Sequence, residues 1–526
     1  MTRGIKTTWA AAALVSAITL AGAPAGAQTL RWSAAGDAVS FDPNAQVDSF
    51  TQNILLMVYD TLVRRGRNLE IEPGLATSWE IVAPDRWRFK LRQGVTFHGG
   101  EPFTADDVVA TVMRTIDPTS RNKGNLATVA RAEKVDDSTV DIVLTGPYPL
   151  LLNDLTGIFV MSKGWMEKNN ALKPGNTSTG VTTYASTHAD GTGPFKLESY
   201  EPDSKTVLTA NGSWWDKPQH NLQRIEFRPI KSDATRVAAL LSGEIDMIAS
   251  MPLQDVPRVS STAGFKVVED PSLRLIFLGF SWKPELLAMP GQKNPLLDVK
   301  VRQALWHAID LDAIQKRIMR GKSRTVGTMV APPVTGYVAD LDRPLSYDPA
   351  LAKKLLAEAG YPEGFKTGLA CSNDRYIADE QLCLAVASMW NRIGVQADVK
   401  TESKATYFPR QDRGETDIWM LGWATLPPMD GFSVLSSIFA SRKDGYGGSN
   451  PGGMVVPELD ALARKAAVEL DEGKRRAMLG ESFKVARDQA LFIPLHQQPL
   501  AWAMKANIDM PQFPDEYVRP WFARVN

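Results

Sequence analysis

Alternating apolar and charged positions mark Arg86-Trp-Arg-Phe-Lys-Leu91 as a half-buried strand, with Trp87, Phe89 and Leu91 on one face and the charges on the other. Val140, Ile142 and Leu144 predict a second strand, ended by Gly146-Pro147. Between them a helix follows Phe103, because Thr104 can cap its free amides and Asp107 places a carboxylate at its positive end. The stretch from Lys168 to Thr192 is rich in Asn, Thr, Ser and Gly and reads as an irregular crossing segment and a domain boundary. Beyond it come strands at Thr206–Thr209 and Ile225–Ile230, then a helix from Asp233 to Leu241 stopped by Ser242-Gly243.

The second half repeats this grammar. Asp298 caps a helix through Val299, Ala304, Leu305 and Ile309, and Asp348-Pro349 opens another that closes at Gly360. Strand Lys366–Ala370, helix Ile377–Ile393, the stop Gly394 and strand Val395–Thr401 form a β-α-β unit. From Leu491 onward the chain is expected to return to short strands and turns. The pattern predicts a mixed sheet with helices packed on it.

The chain opens with Arg3 and Lys6, an apolar run from Trp9 to about Ala23, and the small triplet Ala25-Gly26-Ala27. That order is a secretory signal peptide over residues 1–27. The run is shorter than the roughly 18 to 20 residues of a membrane span, and no Cys follows to take a lipid. A periplasmic or secreted protein without membrane insertion is expected. At about 150 residues per domain, the remainder of the 526-residue chain makes two to four domains.

The 59 basic residues balance 59 acidic ones, so the excess positive charge that attracts nucleic acid is missing. Cys371 and Cys383 are the two cysteines. Two readings stand: a disulfide in an oxidising compartment, or two small apolar side chains, since Cys383 shares a helix face with Val386, Trp390 and Ile393.

Catalytic constellations fail on inspection. The five histidines have no metal-binding spacing, and Gly321-Lys322-Ser323 lacks the leading glycine of a phosphate loop, its place being taken by Lys316. Gly447 to Pro451 ends in proline where a nucleophile elbow needs glycine. Asp136-Asp137 reads as a solvated turn. No metal, cofactor or catalytic residue is assigned, and binding is the stronger class.

Several segments in order, among them Ile71-Glu-Pro-Gly-Leu-Ala-Thr-Ser-Trp79, Phe103-Thr-Ala-Asp-Asp-Val108, Gly191-Thr-Gly-Pro-Phe195, Asn211 to Trp215, Leu240 to Asp246, Val299-Lys-Val-Arg-Gln-Ala-Leu305 and Tyr347-Asp-Pro to Tyr361-Pro, resemble the extracellular solute-binding proteins of family 5. The resemblance covers nearly the whole chain after the leader. It implies an α/β, periplasmic binding protein-like fold, two-lobed and hinged, with an extra domain inserted in the N-terminal lobe. Domain I would comprise residues 28–59, 189–271 and 491–526, domain II residues 60–188, and domain III residues 272–490. It further implies a monomer that captures a peptide-like solute and hands it to the permease of an ABC importer. The rivals are a secreted hydrolase using the same cleft and a binder of an opine, a glutathione-like solute or a metal chelate.

The resemblance also supplies candidate ligand residues. Dipeptide-binding relatives carry an arginine after a domain III strand, and Ser372-Asn-Asp-Arg-Tyr376 offers Arg375, whose planar fork suits a carboxylate; its competing role is an ion pair with Asp374 or Asp379. They also carry an aspartate three residues after the tryptophan of a Gly-Trp motif, but here Gly422-Trp-Ala-Thr-Leu-Pro-Pro-Met-Asp430 has Leu426 at that position. The usual amine receptor is therefore missing, with Asp430 the nearest substitute or else a plain loop carboxylate. Trp423 and Thr425 are candidate lining residues, as are Ser49, Phe50 and Thr51 from domain I and Phe280 and Trp282 after the crossover. Trp423 competes with a core role and Thr51 with a helix cap.

Overall fold

The computed structural model describes Met1, residues 28–426 and residues 428–526, so all of the expected leader but Met1 lies outside the described residues. One sheet of eleven strands runs through both halves of the molecule. On one side, Gln28–Ala34 lies parallel to Leu222–Pro229 and to Met247–Ile248, with Trp32 opposite Phe227 and Met247. Antiparallel strands Lys205–Ala210 and Phe195–Glu201 extend that side. On the other, the expected β-α-β unit forms: Lys366–Ser372 and Gln396–Glu402 pair in parallel, connected by helix Asp379–Asn391, and Ile418–Trp423 lies on the inner flank.

Two long antiparallel strands, Phe265–Phe280 and Phe492–Lys505, join these half-sheets. Of the short strands and turns expected after Leu491, Ile508–Asp509 and Arg524–Val525 form, but ahead of them the chain makes one strand of 14 residues. Nearly every residue of it is buried, on both faces, so the sequence shows no alternation, and Pro494 and Pro499 read as breaks. The register between the pair slips at Pro271–Leu275, where Gln497 donates to the Ser272 carbonyl at 2.6 Å and Ser272 Oγ to the Gln498 carbonyl at 3.0 Å.

A separate four-stranded sheet holds the early alternating segments, in the order Ala76–Ala83, Arg86–Leu91, Thr139–Leu144, Val129–Asp136. Trp87, Phe89 and Leu91 are buried there, while Arg86 and Arg88 converge on Asp141. Helix Ala105–Thr115 covers it, and Asp107 accepts from the Thr104 amide at 2.8 Å as the capping pattern requires. At the far end of this helix, Arg114 makes a buried two-pronged ion pair with Asp42 at 2.7 Å on both prongs, fixing the small sheet to the N-terminal lobe. A two-stranded hairpin just before that sheet in the chain, Val63–Arg65 paired with Ile71–Pro73, touches the opposite lobe. Leu69, at φ +64°, is 3% exposed within the apolar cluster of Leu273, Phe277 and Val434, and the Arg65 guanidinium donates to the Pro428 carbonyl at 3.1 Å.

Cys371, at the end of its strand, is joined to Cys383 on the following helix, which selects the disulfide of the two readings. Among the described residues no helix is long and apolar enough to cross a membrane, and no group of three or more His, Cys, Asp or Glu is placed to hold a metal ion.

Candidate ligand cleft

The cleft lies where the two half-sheets meet. Its N-terminal wall begins at the short helix Ser49–Leu55, capped by Asp48, which accepts from the Thr51 amide at 2.7 Å. Helical spacing puts Ser49, Phe50 and Asn53 on the cleft face and Thr51, Ile54 and Leu55 in the interior. Asn53 grips the C-terminal segment, donating to the Val518 carbonyl at 2.9 Å and accepting from its amide at 3.1 Å. That grip sets Asp515 to Val518 into the wall. From the other half, Gly422, Trp423, Ala424 and Leu426 close a cavity of about 470 Å³ that Trp32 and Ser250 also line.

Arg274 reaches this cavity from the register slip in Phe265–Phe280. It also lines a second cavity of about 770 Å³, as do Ser250 and Glu516, so the two cavities adjoin along these three residues. Arg375 belongs to the second cavity. Its position is fixed from behind: the Arg375 and Tyr376 amides both donate to the Asp379 carboxylate at 3.1 Å, and the guanidinium lies 5.2 Å from the Tyr376 ring centroid. The competing ion pair does not form among the described residues, because Asp379 is taken up by those amides and by Ser372, and Asp374 accepts from the Lys404 amide. Desolvation, and after it the like charge of Arg274, lower the Arg375 pKa from the usual arginine value.

The carboxylates are unequal. Asp515 is buried in a two-pronged pair with Arg519 at 2.8 and 2.6 Å. Glu516, at φ +69°, is half-exposed and stands 3.8 Å from Arg274. Leu426 faces the cavity at the position where an amine-binding aspartate was expected, and gives that place an apolar surface.

Of the residues singled out from sequence, Ser49, Phe50, Trp423 and Arg375 come together here. Trp423 is half-buried, its indole donating to Ser433 Oγ at 3.3 Å. The others are placed elsewhere. Thr51 fills neither of its two readings: the cap is Asp48, and Thr51, inside the helix, donates its Oγ1 to Asp48 at 2.8 Å and accepts from the Val39 amide. Thr425 is 2% exposed and turned inward, its carbonyl accepting from Met429, and that turn carries Asp430 away as well. Asp430 is held by Arg475 at 2.6 and 2.9 Å, both side chains buried, so its two oxygens are occupied. It borders a different cavity, with the hairpin turn at residues 68–71 and the segment 149–153 on one side and the second lobe on the other. Phe280 is a core residue paired with Ile418, and Trp282 is stacked under Arg302 at 4.7 Å. Periodicity cannot separate a core aromatic from a cleft aromatic on strands buried on both faces.

Arg274, Glu516, Asn53 and Tyr517 were missed. Arg274 carried a usable signal, as a lone cation inside the apolar run Leu273-Arg-Leu-Ile-Phe277; a charge in a strand otherwise fit for burial needs a polar place to end.

The family model described as bacterial extracellular solute-binding proteins, family 5 Middle, matches residues 70–446. The dipeptide-binding protein of Escherichia coli is 29% identical over 499 residues, 88% of each chain. Heme-binding protein A of Haemophilus influenzae is 29% identical over 486 residues, 86% of this chain and 85% of its own. The solved structure of HbpA2 from Haemophilus parasuis, 26% identical, superposes with a TM-score of 0.80 over 95% of this chain and 100% of that one. The fold is the two-lobed α/β arrangement of periplasmic binding proteins, and the chain belongs to the bacterial extracellular solute-binding proteins of family 5.

Proposed function

We propose that this protein is the periplasmic solute-capturing subunit of an ABC importer, and that it closes its lobes on a peptide-like small solute without altering it. The observation that carries this is the cleft itself, in which Phe50 and Ser49 from one half face Trp423 and Leu426 from the other, with Arg274 and Arg375 at its end. A solute touching both halves stabilises the closed form over the open one, so closure reports occupancy to a permease. Micromolar binding needs about 8 kcal/mol net. Charge-assisted hydrogen bonds of about 1.5–3 kcal/mol each, with burial against the two aromatic rings, supply it.

The relative named for dipeptides supports a peptide or related solute, while the one named for heme stands for the non-peptide alternative. The leader at residues 1–27 supports export. For the domains we retain residues 28–59, 189–271 and 491–526 for the first, 60–188 for the second and 272–490 for the third. The apolar cluster of the small sheet, whose buried members fall between Leu62 and Val160, supports the second as a unit, with Phe159, Met161, Met166, Ala171 and Ala185 packed back on the first. The decisive experiment is mass spectrometry of the small molecule released on denaturing natively purified protein, followed by its titration back. A melting shift without product formation supports capture; turnover of that molecule would replace this reading with a hydrolase.

A further inference from the structure

Of the four arginines lining the larger cavity, Arg317 and Arg320 lie on its exposed side, while Arg274 and Arg375 carry the reading above one step further, and the inference rests on that reading. Arg375 has no ion-pair partner among the described residues, and the one carboxylate near Arg274, that of Glu516, stands at 3.8 Å, outside hydrogen-bond reach. Both line the same cavity of about 770 Å³. Each guanidinium presents a planar fork matched to a two-oxygen acid, and among the described residues neither donates a side-chain hydrogen bond, Arg274 having only the loose ion pair with Glu516. At the other end, the place of an ammonium receptor is held by Leu426, Asp515 is consumed by Arg519, and Asp430 by Arg475.

We propose that the cleft selects a dianionic solute without a free ammonium group, Arg274 and Arg375 each taking one acidic group while Trp423, Phe50 and Leu426 enclose an apolar body between the lobes. Two like charges sharing a cavity repel in the empty protein, and two anionic groups relieve that repulsion while one relieves only part of it. Glu516 then acts as a selectivity element. It lies beside Arg274 when the cleft is empty and opposes any anion that displaces it.

The test uses three probes on the full mature protein by calorimetric titration: N-acetyl-Ala-Glu, which is dianionic with a blocked amine; the zwitterion Ala-Ala; and neutral N-acetyl-alaninamide. The solute released from natively purified protein is identified in parallel. Expected are tightest binding of N-acetyl-Ala-Glu, a loss of at least tenfold in Arg274→Ala and in Arg375→Ala, partial retention in Arg274→Lys, and tighter binding in Glu516→Gln. Melting curves of the empty variants confirm that they fold. A released solute with two acidic groups and no ammonium supports the inference even where the acetylated probe does not fit. Preference for Ala-Ala, abolished by Glu516→Gln, overturns it by making Glu516 the amine receptor, and leaves solute capture intact. A protein that binds none of the probes and releases no solute overturns both.

Discussion

Replacing Asp430 with alanine strips the only carboxylate, among the described residues, from the Arg475 guanidinium, which is 5% exposed and otherwise bonded through its Nε to the Ala466 carbonyl. A buried charge left without its partner costs about 3–5 kcal/mol. For a domain of this size that corresponds to roughly 10 °C in melting temperature. Asp430 also accepts from the Phe432 amide at 2.8 Å, so the turn leading out of the cleft loosens with it. Calorimetric melting of Asp430→Ala should show the loss in the transition of the second lobe, and Asp430→Leu combined with Arg475→Met should recover most of it, since a buried ion pair can be exchanged for apolar side chains. Ligand affinity measured well below the lowered melting temperature should stay within threefold. If melting is unchanged and affinity collapses, the carboxylate works in the cleft and the structural account of Asp430 is wrong.

Three further outcomes follow from the geometry. Trp423→Ala should weaken solute binding by about 2 kcal/mol, the scale of a central aromatic anchor, read as roughly a thirtyfold rise in Kd by titration; an unchanged Kd would return Trp423 to the core. Reducing the Cys371–Cys383 bridge, or Cys371→Ala with Cys383→Ala, should cost about 3 kcal/mol by the entropy of opening so short a loop, and should weaken binding too because the loop carries Arg375; equal affinity in the oxidised and reduced protein would contradict this. His496 is fully buried, and desolvation lowers its pKa from 6.5 to about 4. Below pH 6.5 the unfolded chain binds the proton that the folded ring refuses, so stability falls as pH drops through that window and levels off near pH 4, by roughly 3 kcal/mol in all. Denaturant unfolding of His496→Leu should show a shallower acid limb, and an identical limb would mean that the ring is charged in the fold.

The elements with one wet face were legible. Arg86–Leu91 alternates because Arg86 and Arg88 reach solvent and Asp141 while Trp87 and Phe89 do not, and the helix Asp233–Ser242 announces itself by its stop, Gly243, which lies at φ +80°. The strands that join the lobes were not, since burial on both faces erases the period-two signal on which strand reading depends. At the site, the sequence led to Trp423 and Arg375 but also to Thr425 and Asp430, which are close in the chain and turned away in space by the bend at Met429, φ +53°. Glu516 and Tyr517 were out of reach for a different reason. They enter the cleft through Asn53, whose contact with Val518 spans 465 positions, and no local pattern records such a contact.

The register slip at Pro271–Leu275 sits on the ribbon shared by both half-sheets, and Arg274 emerges from it. Any swing of one half against the other that twists this ribbon re-aims the guanidinium at the same time. Grip and movement are thus mechanically one degree of freedom at this point, and a substitution there will change how tightly the protein holds and how readily it lets go by linked amounts, so selection cannot tune retention without also tuning release.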